Sequence, residues 1–193
     1  MAKCVAALFV QADGCYSGLP HVDPWPIERD ARRYSGPYPV VAHPPCQLWG
    51  AFAVVNYARW GGSHNKPGND HGCFRSALNA VRKYGGVLEH PAKTKAWSEY
   101  GLIKPPYQGW QQTIEGGWVC EVWQSAYGHK ANKATWLYYY GNIAPLPMCW
   151  DKIPGEYQIG FYDQRGKGKN KPTLGKYEAN STPVMFRDEL IKL

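Results

Sequence analysis

Val40-Val41-Ala42-His43-Pro44-Pro45-Cys46-Gln47 joins a short apolar run to a segment with two prolines and a cysteine. Its short β-branched beginning predicts a buried parallel strand over residues 40–42. The two prolines fix φ and favour extended backbone in the residue before each of them. Cys46 would therefore leave the strand in a stiff loop at its carboxyl end, where α/β sheets place their ligand crevices. We interpret Cys46 as a positioned nucleophile, and the structural alternative is a free cysteine in a proline turn.

A second strand and a connecting helix are predicted downstream. Gly85-Gly86-Val87-Leu88-Glu89-His90-Pro91 is a short apolar run that ends in a carboxylate and a proline. Residues 73–84 carry apolar side chains at helical spacing, which predicts an amphipathic helix. A strand, a helix and a strand in this order form a right-handed parallel crossover. Cys46 and Glu89 are therefore expected at the same edge of one sheet.

These motifs stand in a specific order along the chain. Pro44-Pro45-Cys46-Gln47 precedes Asp70, Gly72 and a helix, and Glu89-His90-Pro91 follows. A polar, basic turn then runs into an aromatic strand over residues 127–138. This order resembles the catalytic half of DNA cytosine-5 methyltransferases, and the resemblance covers roughly residues 38–141. More closely, it looks like small phage- and prophage-type methyltransferase-like proteins with a His-Pro-Pro-Cys loop and a Gly-His-x-x-x-Lys-x-Thr segment.

The resemblance implies a methyltransferase-like transferase that acts on a flipped pyrimidine base in DNA. Cys46 would attack C6 of cytosine as a thiolate, and Glu89 would hydrogen-bond the base at N3 and its amino group. Lys133, with Lys130 as the second choice, stands where the family usually has arginine, and lysine offers a point charge instead of a planar fork. Further candidates for substrate binding lie on the same segments: His43, Pro44, Pro45, Gln47, Asp70, His90, Lys130 and Asn132.

The N-terminal segment is the expected site of S-adenosylmethionine, the methyl donor that the resemblance implies. The apolar run Val5–Val10 predicts a first strand, and the turn after it supplies Asp13, Gly14 and Gly18 as candidate cofactor-binding residues. The family's Phe-x-Gly-x-Gly spacing is absent there. About thirty residues separate Gly14 from Pro44, too few for two further strands and helices. We therefore expect a Rossmann-like α/β fold, with a parallel or mixed sheet and helices, that is truncated in its N-terminal half.

Two other functions stay open at this point. The Cys46/Glu89 pair without a methyl donor would suit another pyrimidine modification on DNA or on a nucleotide, because a thiolate added at C6 activates C5 toward several electrophiles. A non-catalytic DNA-binding or anti-restriction protein could keep the fold without turnover. Cofactor binding separates the two enzymatic hypotheses, and a covalent adduct separates both of them from the third.

The charge of the chain favours a polyanionic partner, which we expect to be DNA or a pyrimidine nucleotide. Lysine and arginine exceed aspartate and glutamate by seven among 193 residues. Basic residues gather in the glycine-rich run Arg165-Gly166-Lys167-Gly168-Lys169-Asn170-Lys171, which predicts a flexible loop over residues 163–180. Such a loop can follow a phosphate backbone, and a solvated loop that aids solubility is the alternative.

Six cysteines lie at positions 4, 15, 46, 73, 120 and 149, with no Cys-x-x-Cys pair. The apolar run after Lys3 spans six residues, which is short for a secretory signal. These features predict a reducing cytoplasm, that of the host cell for a phage-encoded protein. No segment approaches the ~20 apolar residues of a membrane helix. His43-x-x-Cys46 and His71-x-Cys73 leave a zinc site open, but their spacing is unlike that of zinc knuckles, and we predict no metal.

The remaining patterns predict a single domain over residues 1–193. Helices are expected over residues 27–34 and 94–100, a strand pair over residues 110–124 and a strand over residues 134–140. Residues 43–72 are predicted to form a catalytic loop that closes as a lid, with His64 and Asn65 as candidate DNA contacts. A terminal helix is expected over residues 182–191, with Thr182 as its cap.

Overall fold

The computed structural model describes residues 4–50, 52–159 and 171–193 and has an open α/β sheet at its centre. The seven strands of the described chain lie in the order β2-β1-β3-β4-β7-β6-β5. Strands β1 to β4 are parallel, whereas β7 is antiparallel to both β4 and β6. The predicted α/β class and mixed sheet are therefore confirmed. The strands are β1 Val5–Leu8, β2 Val22–Trp25, β3 Val40–Ala42, β4 Gly86–Pro91, β5 Gln111–Gln112, β6 Trp118–Trp123 and β7 Ala134–Tyr140.

Helices pack on this sheet, and α2 follows its sequence pattern most closely. Its apolar residues, which include Phe74 and Val81, are buried, and Gly85 ends it with a φ of 81°. No helix among residues 4–50, 52–159 and 171–193 is long and apolar enough to cross a membrane. The helices are α1 Phe52–Trp60, α2 Cys73–Tyr84, α3 Lys95–Glu99, α4 Lys176–Asn180 and α5 Val184–Lys192.

The predicted parallel crossover is formed by β3, α2 and β4. Strand β3 is buried along its whole length, as its apolar sequence predicts. Val40 pairs with Gly86, and Ala42 pairs with Leu88. A Cβ atom at Gly86 would overlap the backbone of Val40, so glycine is required for the two strands to approach. This crossover brings the loop after β3 beside the end of β4.

Hydrophobic side chains cover both faces of the sheet. One face packs against α2 and α3 and buries large aromatic residues such as Phe74 and Trp97. The other face packs against the terminal helix α5, which contributes Phe186 and Leu190. Burial of aromatic and aliphatic surface on this scale is the main source of stability for a domain of this size. The helices occupy the faces, so the carboxyl edge of the parallel strands is left for a site.

The predicted helix over residues 27–34 is wrong. Two single 3-10 turns, Ile27–Arg29 and Ala31–Arg33, are separated by Asp30, which has a left-handed backbone with a φ of 49°. The Asp30 side chain accepts a hydrogen bond from the backbone N–H of Arg32, which starts the second turn instead of continuing a helix. Thr182 is not a cap either, because α5 begins after Pro183 and no side chain caps it.

Three other segments differ from the expectation. Residues 43–72 contain helix α1 and a 3-10 turn at Ser63–Asn65, so this segment is more regular than a plain loop. The sequence does not predict β2, because Pro24 lies within it and proline is confined to edge strands. The basic residues Arg165, Lys167 and Lys169 lie outside the described residues. Within the predicted flexible loop over residues 163–180, residues 176–180 form helix α4.

Candidate active site

A cavity of about 580 Å³ opens at the carboxyl edge of the parallel strands. Residues that follow β1 and β3, the end of β4 and the beginning of β7 line it. The chain leaves β1 toward β2 and leaves β3 toward β4, in opposite directions across the sheet. Open α/β sheets bind their ligands at such a reversal point. The volume also lies in the range of ~300–1,000 Å³ that is typical of small-molecule sites.

Cys46 lines this cavity in the loop after β3. Its carbonyl accepts a hydrogen bond of 3.0 Å from the backbone N–H of Trp49, which closes a tight turn. The thiol is half-buried and forms no disulfide. Burial raises the pKa of the Cys46 thiol, the charge of Glu89 raises it further, and the charge of Lys133 lowers it by less. The thiol is therefore mostly protonated at neutral pH while the Glu89 charge faces it.

Glu89 lies in β4, is 8 % exposed and lines the same cavity. Each carboxylate oxygen has a partner, because His43 Nδ1 lies 3.0 Å from Oε2 and Gln124 Nε2 lies 3.2 Å from Oε1. Burial alone would raise the pKa of Glu89. The hydrogen bond from His43 and the nearby positive charge of Lys133 outweigh burial and hold the pKa below its usual value. Glu89 is thus an ionised carboxylate at neutral pH.

His43 connects Glu89 to a buried tyrosine that the sequence did not single out. The Tyr16 hydroxyl lies 2.8 Å from His43 Nε2, on the side of the ring opposite the nitrogen that contacts Glu89. Tyr16 is 2 % exposed. Burial and the neighbouring Cys15 and Glu89 raise the pKa of Tyr16 well above its usual value, so its hydroxyl stays protonated. His43 is therefore held at both ring nitrogens.

Lys133 lines the cavity beside the thiol and the carboxylate. Its ammonium donates hydrogen bonds to the backbone carbonyls of Asn180 and Ser181, at 3.3 and 2.8 Å. Burial lowers the pKa of Lys133, while the charges of Glu89 and Cys46 act in the opposite direction. The ammonium thus joins the segment after α4 to the cavity and supplies its positive charge.

Lys130, the second choice for this role, lies elsewhere. It is exposed, forms an ion pair of 2.7 Å with Glu178 and lines a separate cavity of about 140 Å³. Asn132 also lies outside the main cavity, where its side-chain oxygen accepts a hydrogen bond of 2.6 Å from the backbone N–H of Gly155. Lys130 and Asn132 therefore form local contacts outside the main cavity.

Asp70 and His90 are buried away from the cavity. The Asp70 carboxylate accepts hydrogen bonds from Trp49 Nε1 at 2.9 Å and from the backbone N–H groups of Gly72 at 2.9 Å and Phe74 at 2.8 Å, at the beginning of α2. His90 is fully buried and contacts the Thr94 hydroxyl through Nδ1 at 2.8 Å. Burial lowers the pKa of His90 to about 4, so its ring is neutral. Both residues have structural contacts here instead of contacts to the cavity.

The other sequence candidates divide between the cavity and the surface. His43, Pro44, Pro45 and Gln47 line the cavity from the β3 loop. Asp13 and Gly14 line it from the turn after β1, whereas Gly18 does not. His64 and Asn65 lie outside it, on the 3-10 turn after α1.

Several residues at this site carry no signal in the sequence. Gln124 comes from the end of β6, and Tyr16 comes from the turn after β1. Residues near the C-terminus complete the wall, among them Tyr177, Asn180 and Thr182. Gln124 reaches Glu89, and the other positions reach the cavity, through strand pairing and packing over long sequence distances, so local patterns could not identify them.

Among the described residues, no group of three or more His, Cys, Asp or Glu side chains is arranged to hold a metal ion. In comparisons with known proteins, no family model matches this sequence and no curated protein matches it. The interpretation of the site therefore depends on its own geometry and on the resemblance of its motifs.

Proposed function

We propose that this chain is a DNA cytosine-5 methyltransferase-like enzyme that adds the Cys46 thiolate to C6 of a flipped cytosine. One observation carries the proposal: the thiol of Cys46, the carboxylate of Glu89 and the ammonium of Lys133 line a single cavity at the carboxyl edge of the sheet. Addition to a pyrimidine needs a nucleophile, a partner for the polar edge of the base and a cation for the charge that develops.

The proposed chemistry begins with a bond between Cys46 Sγ and C6. The electron pair of the C5–C6 double bond is then delocalised over C5, C4 and N3. N3 carries a proton, and C5 becomes nucleophilic as in an enamine. Glu89 holds the N3 and amino edge, and Lys133 stabilises negative charge on the ring carbonyl. When C5 takes up an electrophile and then loses its original hydrogen as a proton, expulsion of the thiolate restores the double bond.

The proposed nucleic-acid partner is supported by the exposed surface of helix α1. Helix α1 follows the Cys46 loop and leaves Phe52 61 % and Trp60 68 % exposed. The guanidinium of Arg59 lies 4.9 Å from the centre of the Trp60 ring. Aromatic rings with adjacent cations suit unstacked bases and phosphates, and the net charge of +7 favours the same partner.

The turn after β1 would hold S-adenosylmethionine. The backbone N–H of Gly14 donates to the Gln11 carbonyl at 3.1 Å, and a Cβ atom at Gly14 would come within 3.2 Å of Gln11, so this tight turn suits glycine. The exposed carboxylate of Asp13 lies in the cavity and suits a ribose hydroxyl or a sulfonium charge. When bound, the cofactor would supply the methyl group. The connections around β2 contain no α-helix among the described residues, which agrees with a shortened Rossmann-like half.

Hydrogen exchange at C5 tests the proposal without any methyl donor. The protein is incubated with a duplex whose cytosines carry tritium at C5, and release of tritium to water is measured. We expect release by the wild type and none by Cys46→Ser, because addition at C6 is what labilises the C5 hydrogen. A wild type that releases no tritium would contradict the proposed function.

Calorimetric titration with S-adenosylmethionine then tests the cofactor. Micromolar binding that Asp13→Asn weakens would support methyl transfer. Exchange at C5 without such binding would favour the alternative of another electrophile at the same Cys46/Glu89 pair.

A further inference from the structure

Two hydrogen-bond chains converge on the carboxylate of Glu89 from opposite sides. The first runs from Tyr16 through His43 to Oε2. The second runs from Thr135 through Gln124 to Oε1. The position of the protons in both chains follows from the number of donors and acceptors that each group offers.

The first chain has one consistent direction. The Tyr16 hydroxyl is buried, carries one proton and has His43 Nε2 as its only side-chain partner among the described residues. It therefore donates to Nε2, because a buried hydroxyl that only accepted would leave its proton unpaired. With Nε2 as the acceptor, the ring proton is on Nδ1, which lies 3.0 Å from Glu89 Oε2. His43 thus donates to Glu89.

The second chain is oriented by Thr135, at the beginning of β7. Its hydroxyl donates its single proton to the backbone carbonyl of Lys133 at 3.0 Å. It can then only accept from Gln124, whose side-chain nitrogen lies 3.0 Å away. The same nitrogen lies 3.2 Å from Glu89 Oε1, so the amide of Gln124 presents a donor to the carboxylate.

We propose that Tyr16, His43, Gln124 and Thr135 are positioning residues, whose two chains keep both oxygens of Glu89 as hydrogen-bond acceptors for the N3–H and amino edge that the proposed function assigns to this carboxylate. This inference depends on the proposed function. Cytosine offers such an edge once N3 carries a proton, through N3–H and its amino group. Uracil and thymine offer one N–H between two carbonyl oxygens, and those oxygens would face the carboxylate.

The proton on N3 therefore comes with the base or from solvent, and Glu89 does not deliver it. The Cys46 thiol first gives its proton to water. Addition of the resulting thiolate at C6 neutralises the charge of the protonated ring, C5 takes up a proton from water, and its original hydrogen then leaves to water as a proton. Expulsion of the thiolate then releases the base with a solvent hydrogen at C5, and no oxidant or methyl donor takes part. The titratable groups that face Glu89 are Tyr16, His43, Cys46, His90 and Lys133.

Tyr16→Phe tests the first chain. Without the hydroxyl, His43 is free to carry its proton on Nε2, so Nδ1 would present a lone pair to Glu89 and favour a protonated carboxyl. We expect kcat/KM for tritium release to fall about tenfold at neutral pH and its acid limb to move to higher pH. Tyr139→Phe, which removes a buried tyrosine hydroxyl outside the cavity, is the matched control and should keep the wild-type profile.

Thr135 tests the second chain with a conservative rescue. Thr135→Val keeps the shape but loses the hydroxyl that orients Gln124, so it should lower the exchange rate and move the acid limb as Tyr16→Phe does. Thr135→Ser keeps the hydroxyl and should restore most of the rate. In addition, exchange from duplex uracil tritiated at C5 should be at least about tenfold slower than from cytosine.

Nitrogen-15 NMR of the wild type shows which ring nitrogen of His43 carries the proton, and this measurement needs no turnover. The expected result is a His43 ring with a proton on Nδ1 and none on Nε2 at neutral pH. A ring protonated on Nε2 would overturn the inference, and so would unchanged pH profiles in both variants of an exchanging enzyme. Equal rates with cytosine and uracil would overturn the selection of the base edge. A wild type without exchange would instead contradict the proposed function.

Discussion

Cys46 and Glu89 stand at the carboxyl ends of neighbouring parallel strands, but their surroundings prepare them in opposite ways. Both oxygens of Glu89 have N–H partners, and its pKa lies below the usual value despite burial. The Cys46 thiol is half-buried, and burial and the Glu89 charge raise its pKa. The carboxylate proposed to bind the base is therefore already ionised and oriented, whereas the proposed nucleophile would become reactive only when the local charge changes.

This difference suggests how binding and reactivity are coupled. A base that donates two hydrogen bonds to Glu89 would screen the negative charge that disfavours the thiolate. The positive charge of Lys133 would then act on Cys46 with less opposition. Substrate binding itself would thus promote ionisation of the nucleophile.

The largest expected effect is that of Cys46→Ser. The hydroxyl of serine is far less acidic than a thiol, so tritium release at C5 should fall by at least about three orders of magnitude. Duplex affinity, measured by fluorescence anisotropy, should change little. Cys73→Ser is the matched control, because Cys73 is also half-buried with a raised pKa but lies outside the cavity. An equal loss of tritium release in both variants would contradict the role of Cys46 as the nucleophile.

Glu89→Gln should separate binding from thiol reactivity. Loss of the carboxylate should slow tritium release by about two orders of magnitude, as for other electrostatic partners of a reacting group. The same change removes a negative charge near the thiol, so the Cys46 pKa should fall and alkylation by iodoacetamide at neutral pH should become faster. Peptide mass spectrometry measures the alkylation. The exposed Glu115→Gln is the control, and slower alkylation in Glu89→Gln would contradict the charge argument.

Asp70 shows that a saturated buried carboxylate can serve the fold alone. Its three hydrogen bonds hold the beginning of α2 and the Trp49 side chain. Asp70→Ala should lower the free energy of unfolding by about 2 kcal/mol, measured by urea denaturation. Asp13→Ala, at an exposed position in the cavity, should leave stability within about 0.5 kcal/mol of the wild type. A larger loss of unfolding free energy in Asp13→Ala than in Asp70→Ala would contradict the structural role of Asp70.

The smallest expected effect concerns the cation. Lys133→Met removes the positive charge that lowers the Cys46 pKa, so alkylation of Cys46 at neutral pH should slow by about threefold. Lys130→Met removes an exposed lysine with an ion pair outside the cavity and should leave the rate unchanged. Alkylation profiles measured as a function of pH would distinguish a shifted pKa from altered access.

Local sequence patterns predict the part of the site that lies on one crossover. The bounds of β3 and α2 agree with their apolar spacing and terminal glycine, and this places Cys46 and Glu89 at one edge. Local patterns do not predict the hydrogen-bond network of Glu89. Gln124 reaches Glu89, and Tyr16 reaches His43, only through packing and strand register. Asp70 comes just before the apolar run of α2, where an aspartate is a signal for the start of a helix. Its carboxylate accepts a hydrogen bond from the backbone N–H of Phe74, in agreement with that signal.

Trapping of a covalent adduct tests directly whether Cys46 adds to C6 of the base. A duplex with 5-azacytosine at one position offers a more electrophilic C6 and keeps the 4-amino group, and thiol addition places Sγ on C6 and a proton on the ring nitrogen at position 5. The protein is incubated with this duplex, and the intact mass and tryptic peptides are measured. The account predicts a one-to-one adduct with the base attached to the peptide that contains Cys46. No adduct, or an adduct at another cysteine, would contradict the account.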